Sequence, residues 1–401
     1  MIKPTILLCW GYNRRNWVEF FESLNPDFEF IYLFYMYPYE EKEVFTNNRR
    51  IYYTDYSSPK DLLTQIKPSK VVFMGLDGLQ TIAINIQCRK LNIPTYFMEH
   101  GSATLSIDDF RDFKTDDRNL LKESLTHKLG AWLFTFKFII KALGIKYIYA
   151  LPLLTRFQLQ KLKMHPLLAL EKNRTSLRVP SKYIVFSRED VRFYKHLNHA
   201  RDEDFIVLGN LEINVAIQMA KETGVSNDGY LLYIETPLSI IEGNEFDINK
   251  ISIEENNAIL SSMNAYAIKN DLKLIVKLHP YSFSNSFYLQ HPNIIYEKGD
   301  KKESLILGAN AIIFFNSSLA IPSLYFKPCC MFMLDRPDKF QSSISELKIC
   351  TVINYQDMID DPANISFFIP DQKTKQAYID KYIGAGVDGK GLQRLRQALL
   401  D

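Results

Sequence analysis

The feature that most constrains the fold is a regular alternation of short apolar runs with segments of helical patterning. The first series of apolar runs comprises Thr5–Cys9, Phe28–Phe34, Arg50–Thr54, Lys70–Met74, Thr95–Met98, Lys182–Phe186 and Phe205–Leu208. The helical segments between them include Asn16–Leu24, Pro59–Ile66 and Leu79–Leu91. Because several runs are apolar on both faces, they predict a parallel sheet with helices on both sides.

A second series of the same kind begins after the polar stretch 224–229. It consists of strands at Tyr230–Glu235, Leu272–Leu278, Asn293–Tyr296, Ala311–Phe315 and Pro328–Leu334, with helices at Ser252–Lys269, Lys302–Leu307 and from Ser317 onward. A chain of 401 residues also exceeds what one hydrophobic core usually supports. We therefore predict two Rossmann-like α/β domains, 1–225 and 226–370, followed by C-terminal helices at 371–401. Ligands are expected in the cleft at the carboxyl ends of the strands.

Composition narrows the class of protein. Hydrophobic residues make up 47% and charged residues 23% of the chain, which excludes a disordered protein. The formal net charge of +2 gives no global field for nucleic acid, so no nucleic-acid partner is expected. The five cysteines form no CxxC pair and predict reduced core thiols in a cytoplasmic protein. The first ten residues predict a strand and lack the features of a signal peptide.

The strongest chemical signal is the run that ends in Lys277, His279 and Pro280. An apolar strand places the lysine and the histidine at period two, hence on one face, and the proline then ends the strand. Such a pair could receive the charge that develops on a departing phosphate. The alternative is that the strand merely ends in a His-Pro turn without a function. The chain contains two more His-Pro pairs, His165-Pro166 and His291-Pro292, but neither follows a strand that carries a lysine.

A second signal is Asn316-Ser317-Ser318, which directly follows an apolar strand and precedes an apolar helical pattern. An Asn or Ser at this position caps a helix whose N–H groups point at the place where an anion lies. Capping alone needs no ligand. This position offers two serine hydroxyls, whereas capping requires only one. We therefore predict that Asn316, Ser317 and Ser318 contact an anionic ligand.

In the first half, the strand Thr95–Met98 ends in Glu99, His100 and Gly101. The glycine allows a sharp turn that presents the preceding side chains at the sheet edge. An imidazole or a carboxylate there could remove a proton from an acceptor hydroxyl, and we place His100 ahead of Glu99 in that role. The alternative is a loop histidine beside a capping glutamate, similar to the acid-glycine pair Asp77-Gly78.

Together these motifs resemble the bacterial polysialyltransferase and sialyltransferase group, which uses CMP-activated sugars. The resemblance rests on Lys-x-His-Pro, the double serine and the acid-x-Gly turn, and it extends over most of the chain. Further stretches that fit it are Phe186–Asp190, Val207–Asn210, Tyr233–Leu238 and Asp388–Lys390. It implies a GT-B fold, with two Rossmann-like domains facing across a cleft, and an inverting transfer. It also implies donor contacts at Lys277, His279, Pro280, Asn316, Ser317, Ser318, Glu235, Thr236 and Pro237.

The chain departs from that group at the catalytic turn. Where the family has two acids, the second position is His100, so either His100 or Glu99 is the implied base. A retaining cousin, such as a Kdo transferase, is the other alternative, with Glu235 or Glu242 as the nucleophile near the donor. A donor that leaves as CMP has no pyrophosphate to neutralise, so no metal cofactor is expected. The acid pairs Asp108-Asp109 and Asp116-Asp117 are interpreted as solvated loop residues.

One segment, 127–174, combines aromatic and apolar residues with many lysines and arginines and a single acid, Glu171. Lys137, Lys141 and Lys146 interrupt its most apolar part and argue against a membrane span. Two alternatives stay open: a helix that lies on an anionic membrane surface, and a pair of buried helices with snorkelling lysines. The first alternative would make this a peripheral membrane protein on the cytoplasmic face of the inner membrane.

The leading hypothesis is a cytoplasmic glycosyltransferase that joins a 2-keto acid sugar to a cell-surface polysaccharide, such as capsule or lipopolysaccharide. The donor is a CMP-linked sialic acid, Kdo or related nonulosonic acid, and the acceptor is an oligosaccharide or a lipid-linked glycan. A second hypothesis is transfer of a polyol phosphate from a CDP-polyol. A third is a non-catalytic nucleotide-sugar-binding partner in polysaccharide assembly.

Overall fold

The computed structural model describes residues 3–9, 15–41, 46–99, 125–161, 163–239, 251–284, 288–299, 302–334, 337, 339–384 and 387–401. These residues form two β-sheets of parallel strands, each with helices on both faces. The predicted His100 and Glu242 lie outside the described residues, as do Asp108-Asp109 and Asp116-Asp117.

The N-terminal half is built on a parallel sheet that has seven strands within the described residues. Its strands are β1 (Thr5–Cys9), β2 (Glu29–Leu33), β3 (Arg49–Ile51), β4 (Lys70–Phe73), β5 (Thr95–Met98), β6 (Lys182–Val185) and β7 (Phe205–Val207), in the order β3-β2-β1-β4-β5-β6-β7. Its helices are α1 (Arg15–Glu22), α2 (Pro59–Ile66), α3 (Leu79–Leu91), α4 (Leu125–Tyr147), α5 (Leu151–Lys161), α6 (Pro166–Lys172), α7 (Arg188–Asn198) and α8 (Leu211–Thr223).

Both faces of this sheet are buried, which explains why its strands are continuously apolar. In β1, Leu7 and Cys9 enter the core under α2, α3 and α4, whereas Ile6 and Leu8 enter the core under α1. Successive side chains of a strand alternate between faces, so a strand between two helical layers needs apolar residues throughout. The five cysteines are buried and unbridged.

The C-terminal half has a second parallel sheet, with six strands within the described residues. Its strands are β8 (Tyr230–Ile234), β9 (Lys273–Lys277), β10 (Ile294–Glu297), β11 (Ala311–Phe314), β12 (Cys329–Met333) and β13 (Thr351–Asn354), in the order β10-β9-β8-β11-β12-β13. Its helices are α9 (Ile253–Lys269), α10 (Lys302–Gly308), α11 (Ala320–Phe326), α12 (Lys339–Leu347), α13 (Tyr355–Asp360) and α14 (Gln372–Tyr378). Strand β13 was not among the predicted strands.

The final helix, α15 (Gly391–Leu400), packs on the N-terminal half of the chain. Its Leu395 and Leu399 belong to the core under α1. The chain crosses back at Gly384, which follows a π-helical turn at Ile379–Ile383 and has φ +79°. A Cβ on Gly384 would lie 1.9 Å from the carbonyl oxygen of Phe186, so only glycine fits this crossing. The C-terminal segment is therefore divided between the two halves.

Two elements of the sequence prediction are wrong. The predicted strand Arg50–Thr54 ends at Ile51, because Tyr53–Asp55 form a 3-10 turn. The Asp55 carboxylate accepts the Tyr52 N–H at 3.0 Å and so stabilises this turn. The helix predicted from Ser317 begins at Ala320, with Leu319 in the capping position.

Candidate functional site

The candidate donor site lies where the C-terminal sheet reverses its direction of winding. Strands β8 and β11 are neighbours, but the chain continues from β8 to β9 on one side and from β11 to β12 on the other. Loops that leave such a pair diverge and open a crevice at the carboxyl ends of the strands. The Thr236 hydroxyl donates to the carbonyl oxygen of Asn316 at 2.6 Å and ties the two loops together. Six of the predicted residues lie in these loops: Glu235, Thr236, Pro237, Asn316, Ser317 and Ser318.

Strand β9, beside β8, brings His279 to the same edge. Leu278 is buried, whereas Lys277 and His279 on either side of it are partly exposed, as period two requires. The Nδ1 atom of His279 accepts the Tyr281 N–H at 3.3 Å. In the neutral ring the proton is therefore on Nε2, which makes that atom a hydrogen-bond donor.

This local bond is a property of all three His-Pro turns and does not by itself mark a site. His165 accepts the N–H of Leu167 at 3.3 Å, and His291 accepts that of Asn293 at 3.1 Å. Neither of these turns follows a strand of the sheet, since His165 caps α6 and His291 precedes β10. The position at the end of β9 is what distinguishes His279.

Glu235 fixes the His279 turn to the neighbouring strand. Its carboxylate accepts the His279 backbone N–H at 2.7 Å, the Ser282 hydroxyl at 2.8 Å, and the hydroxyl of Tyr288. The side chain is 4% exposed. Burial raises the pKa of this carboxyl, and the hydrogen bonds from Tyr288, His279 and Ser282 oppose the shift. Glu235 thus has both carboxylate oxygens engaged in holding the turn.

Lys277 adds a cation to the same edge. Its Nζ donates to the carbonyl oxygen of Leu278 at 3.2 Å and lies 5.9 Å from the centre of the Phe283 ring. Its charge also acts to lower the pKa of Glu235, although less than the hydrogen bonds do. The edge therefore combines an imidazole N–H, an ammonium group and hydroxyls, and donors of this kind bind phosphate oxygens.

The double serine does not cap a helix as predicted. Ser317 accepts the Leu319 N–H at 3.2 Å, and its carbonyl oxygen accepts the Ala320 N–H, so it closes a turn ahead of α11. Ser318 is exposed. The serines can still offer hydroxyls to a ligand, but they do not mark a helix N-terminus, because α11 begins at Ala320.

On the N-terminal sheet, the end of β5 holds Glu99. Its backbone N–H donates to the Ile184 carbonyl at 2.9 Å, and its buried carboxylate accepts the hydroxyl of Tyr194 on α7. Burial, together with the nearby Glu99 carboxylate, raises the pKa of Tyr194 well above its usual value, so Tyr194 keeps its proton and donates. His100 follows immediately and lies outside the described residues.

Three contributing residues escaped the sequence analysis. Ser282 and Tyr288 hold Glu235, and Tyr194 holds Glu99. Ser282 lies close to the His-Pro motif, which was an available signal. Tyr194 is far from Glu99 in sequence, and no local pattern connects the two.

Two other stretches that the sequence analysis named have structural roles. Asp77 pairs with Lys161 at 3.0 Å, which agrees with the structural interpretation of the Asp77-Gly78 turn. The Phe186–Asp190 stretch forms a capping box, in which Asp190 accepts the N–H of Ser187 at 2.7 Å. Among the described residues there is no group of three His, Cys, Asp or Glu side chains that could hold a metal ion.

Comparison with solved structures establishes the fold class. The wall teichoic acid polymerase TagF matches with a TM-score of 0.50 and 11% identity over 99% of this chain and 88% of its own. The calicheamicin glycosyltransferase CalG4 matches with a TM-score of 0.46 and 11% identity, over 100% of this chain and 95% of its own. A putative UDP-N-acetylglucosamine 2-epimerase from Listeria monocytogenes matches with a TM-score of 0.49 and 10% identity, over 99% of this chain and 96% of its own.

The match to TagF and the two Rossmann-like strand orders define a GT-B fold, as the sequence predicted. At these identities the likeness concerns the fold alone, and fold does not fix chemistry. No protein-family model matches the chain, and no curated protein sequence matches it.

Proposed function

We propose that this protein is a glycosyltransferase that transfers a 2-keto acid sugar, namely sialic acid, Kdo or a related nonulosonic acid, from a CMP donor to a surface glycan. The acceptor oxygen forms a bond to the anomeric carbon while the bond from that carbon to the CMP phosphate breaks. The electron pair goes to the phosphate oxygen, and the acceptor proton goes to a base. Metal-independent transfer in the cytoplasm, onto an oligosaccharide or lipid-linked glycan, is part of the proposal.

The observation that carries this proposal is the bond from His279 N–H to Glu235. It holds the His279 turn at the carboxyl edge of the sheet, where the Nε2–H group is a hydrogen-bond donor of the kind that stabilises the negative charge on a departing phosphate. Lys277 supplies a positive charge there. A buried carboxylate that accepts three protein donors suits positioning better than nucleophilic attack, which supports inversion over a retaining mechanism.

On the acceptor side, Glu99 stands at the end of β5, and His100 is the next residue in the sequence. The Tyr194 hydroxyl donates to the Glu99 carboxylate and holds it within the protein, so the next residue is the better candidate to meet a substrate hydroxyl. This arrangement favours His100 as the base, with Glu99 as a positioning residue. A histidine can accept a proton near neutral pH because its ordinary pKa is about 6.5.

A second candidate is transfer of a polyol phosphate from a CDP-polyol. It is favoured by the match to TagF along nearly the whole chain, because one structure of a TagF variant was soaked with CDPG. Both candidates release CMP, so they share the nucleotide site and differ in the transferred group.

The test begins with nucleotide binding and then separates the donors. Calorimetry with CMP, UMP and GMP should give binding for CMP only, weakened by His279→Ala but unaffected by His291→Ala. Radiolabelled CMP-sialic acid, CMP-Kdo and CDP-glycerol are then each incubated with the protein and membrane glycans, and label should be transferred from a CMP-sugar.

Transfer from CDP-glycerol alone would establish the second candidate. CMP binding without turnover of any donor would identify a non-catalytic binding protein, and a preference for UMP or GMP would refute both transferase proposals.

A further inference from the structure

The helices α4 and α5 expose an unusual number of large apolar side chains. In the segment that runs from α4 to α5, Ile145 is 97% exposed, Tyr149 73% and Trp132 47%. The other exposed members are Leu133, Ile140, Ile148 and Leu159. A large exposed apolar patch on a protein of this kind marks a surface that contacts something apolar. We call these seven residues the apolar face.

The opposite side of α4 is an integral part of the N-terminal core. Phe138, Ile139, Ala142 and Leu143 are buried beside α3. The helix is interrupted at Gly144, with φ 54°, and Lys90 donates to the carbonyl oxygens of Ala142 and Leu143 at 2.6 and 3.0 Å. The lysine satisfies carbonyl groups that the helix end leaves open.

One stretch in the described residues, Gly130–Lys161, is long and apolar enough to cross a membrane by length and composition alone. The buried side chains of α4 and α5, and the hydrogen bonds from Lys90 beside the Gly144 break, attach this stretch to the N-terminal core. Its outer side is therefore the part that can contact a membrane surface.

The charge of this surface identifies the partner. Residues 125–170 contain no Asp or Glu. Five basic side chains of the same segment are exposed: Lys137, Lys141, Lys146, Arg156 and Lys163. Aromatic and aliphatic side chains combined with cations are typical of a helix at the interface of an anionic bilayer. Trp132 and Tyr149 are of the type that concentrates at the headgroup level.

A shallow groove on α5 adds to this chemistry. It has a volume of about 560 Å³, is lined mainly by apolar atoms of residues that include Leu151, Pro152 and Leu159, and contains Arg156 and Lys163. An apolar floor beside two cations matches a lipid, whose acyl chain joins an anionic headgroup. A second copy of the chain fits this surface less well than a lipid does. A two-fold interface would place the cations of one copy close to the same cations of the other, and like charges repel.

We propose that α4 and α5 dock this protein on an anionic phospholipid bilayer, with the apolar face inserted at the level of the headgroups and the basic side chains on the lipid phosphates. The docking is independent of the donor site and needs neither nucleotide nor acceptor.

The proposal is tested by co-sedimentation of the full chain with vesicles of phosphatidylglycerol mixed with phosphatidylcholine, and with phosphatidylcholine alone. We expect binding to the anionic vesicles only, weakened by salt because the Debye length is about 10 Å at 0.1 M. The variant Lys137→Glu/Lys146→Glu/Lys163→Glu should bind at least about tenfold more weakly. Lys141 is left intact because its Nζ donates to the Ser57 carbonyl at 2.8 Å.

The matched control places the same charge change on the other half of the chain, at exposed lysines: Lys269→Glu/Lys273→Glu/Lys373→Glu. It should bind like the wild type. A second variant, Trp132→Ser/Ile145→Ser/Leu159→Ser, tests insertion and should lose binding at low and at high salt. Circular dichroism should show the same melting temperature for all forms.

Equal binding by the wild type and both α4–α5 variants would overturn the proposal, as would binding that the control variant loses to the same degree. Absence of vesicle binding would also overturn it. If sedimentation then shows a dimer that the Trp132, Ile145 and Leu159 changes dissociate, the apolar face is an interface between two copies.

Discussion

The backbone N–H of His279 donates a 2.7 Å hydrogen bond to the carboxylate of Glu235, which joins the His-Pro turn after β9 to the end of β8. The bond connects two neighbouring strands at the edge where the proposed donor phosphate departs. Each of the two residues therefore has a separate experimental signature, the first in turnover and the second in stability.

His279→Ala should lower turnover by about 10²-fold or more, because it removes the Nε2–H donor proposed to meet the departing phosphate. The melting temperature should change little, since the backbone N–H that bonds Glu235 remains. His165→Ala and His291→Ala are matched controls with the same local Nδ1 bond and should keep normal turnover. Wild-type activity in His279→Ala would remove the residue from the mechanism.

Glu235→Gln should have a stability effect that depends on pH. Burial raises the pKa of Glu235 in the folded protein above its ordinary value of 4.5. As the pH rises above that ordinary value, the unfolded chain loses this proton while the folded chain retains it, so the wild type loses stability. The loss is complete once the pH exceeds the raised folded pKa.

Gln at position 235 does not titrate, so the variant should gain stability relative to the wild type between pH 4 and pH 7. Denaturant unfolding at the two pH values measures this difference. A relative stability that falls over the same interval would mean that the hydrogen bonds outweigh burial at Glu235.

If His100 is the base, the rate should rise with pH between about 6 and 7, the range of an ordinary imidazole. His100→Ala should lose this rise and most of the activity, while Glu99→Gln should retain a measurable fraction. Tyr194→Phe should resemble Glu99→Gln, because it removes a donor to the Glu99 carboxylate. Steady-state rates over pH 5 to 9 provide the measurement.

The opposite pattern, an inactive Glu99→Gln and an active His100→Ala, would assign the base to the carboxylate. If both variants keep near-normal turnover while Glu235→Gln or Glu242→Gln is inactive, a retaining double displacement is the better account.

Ser317→Ala/Ser318→Ala should weaken donor binding with little effect on folding. The side chain of Ser317 accepts one backbone N–H at 3.2 Å, and Ser318 is exposed, so neither change removes a buried contact. Calorimetry with CMP measures the affinity, and thermal melting provides the control. Unchanged CMP affinity would limit the two serines to closing the turn before α11.

Leu395→Ala should destabilise the N-terminal half by about 2–5 kcal/mol, the usual cost of removing a buried leucine side chain. Leu395 is fully buried in the core under α1, although it lies near the C-terminus. Leu400→Ala on the same helix is the control, because Leu400 is 44% exposed and such changes cost within about 0.5 kcal/mol. Equal effects would place α15 outside that core.

The sequence by itself determined the fold class and most of the elements. Strands β1 and β5 and helices α2 and α3 have the predicted bounds, because apolar runs of strand length and the residues that begin and end a helix are local patterns. The carboxyl ends of parallel strands lie on one edge of a sheet, so the sequence alone predicts that the motif containing His279 lies at the edge where ligands bind. The sequence does not predict strand β13, and it wrongly extends β3 over Tyr53 and Thr54, because short segments carry weak periodicity.

Only the tertiary structure decided which residues hold these motifs. The partners of Glu99 and Glu235 are hydroxyls of Tyr194 and Tyr288, residues separated from them by long stretches of chain. The tertiary structure also determines which side of α4 is exposed and that α15 packs on the core of the N-terminal half. Apolar periodicity shows that a face is buried or an element exists, but the packing partner depends on how distant elements assemble, which no local pattern encodes.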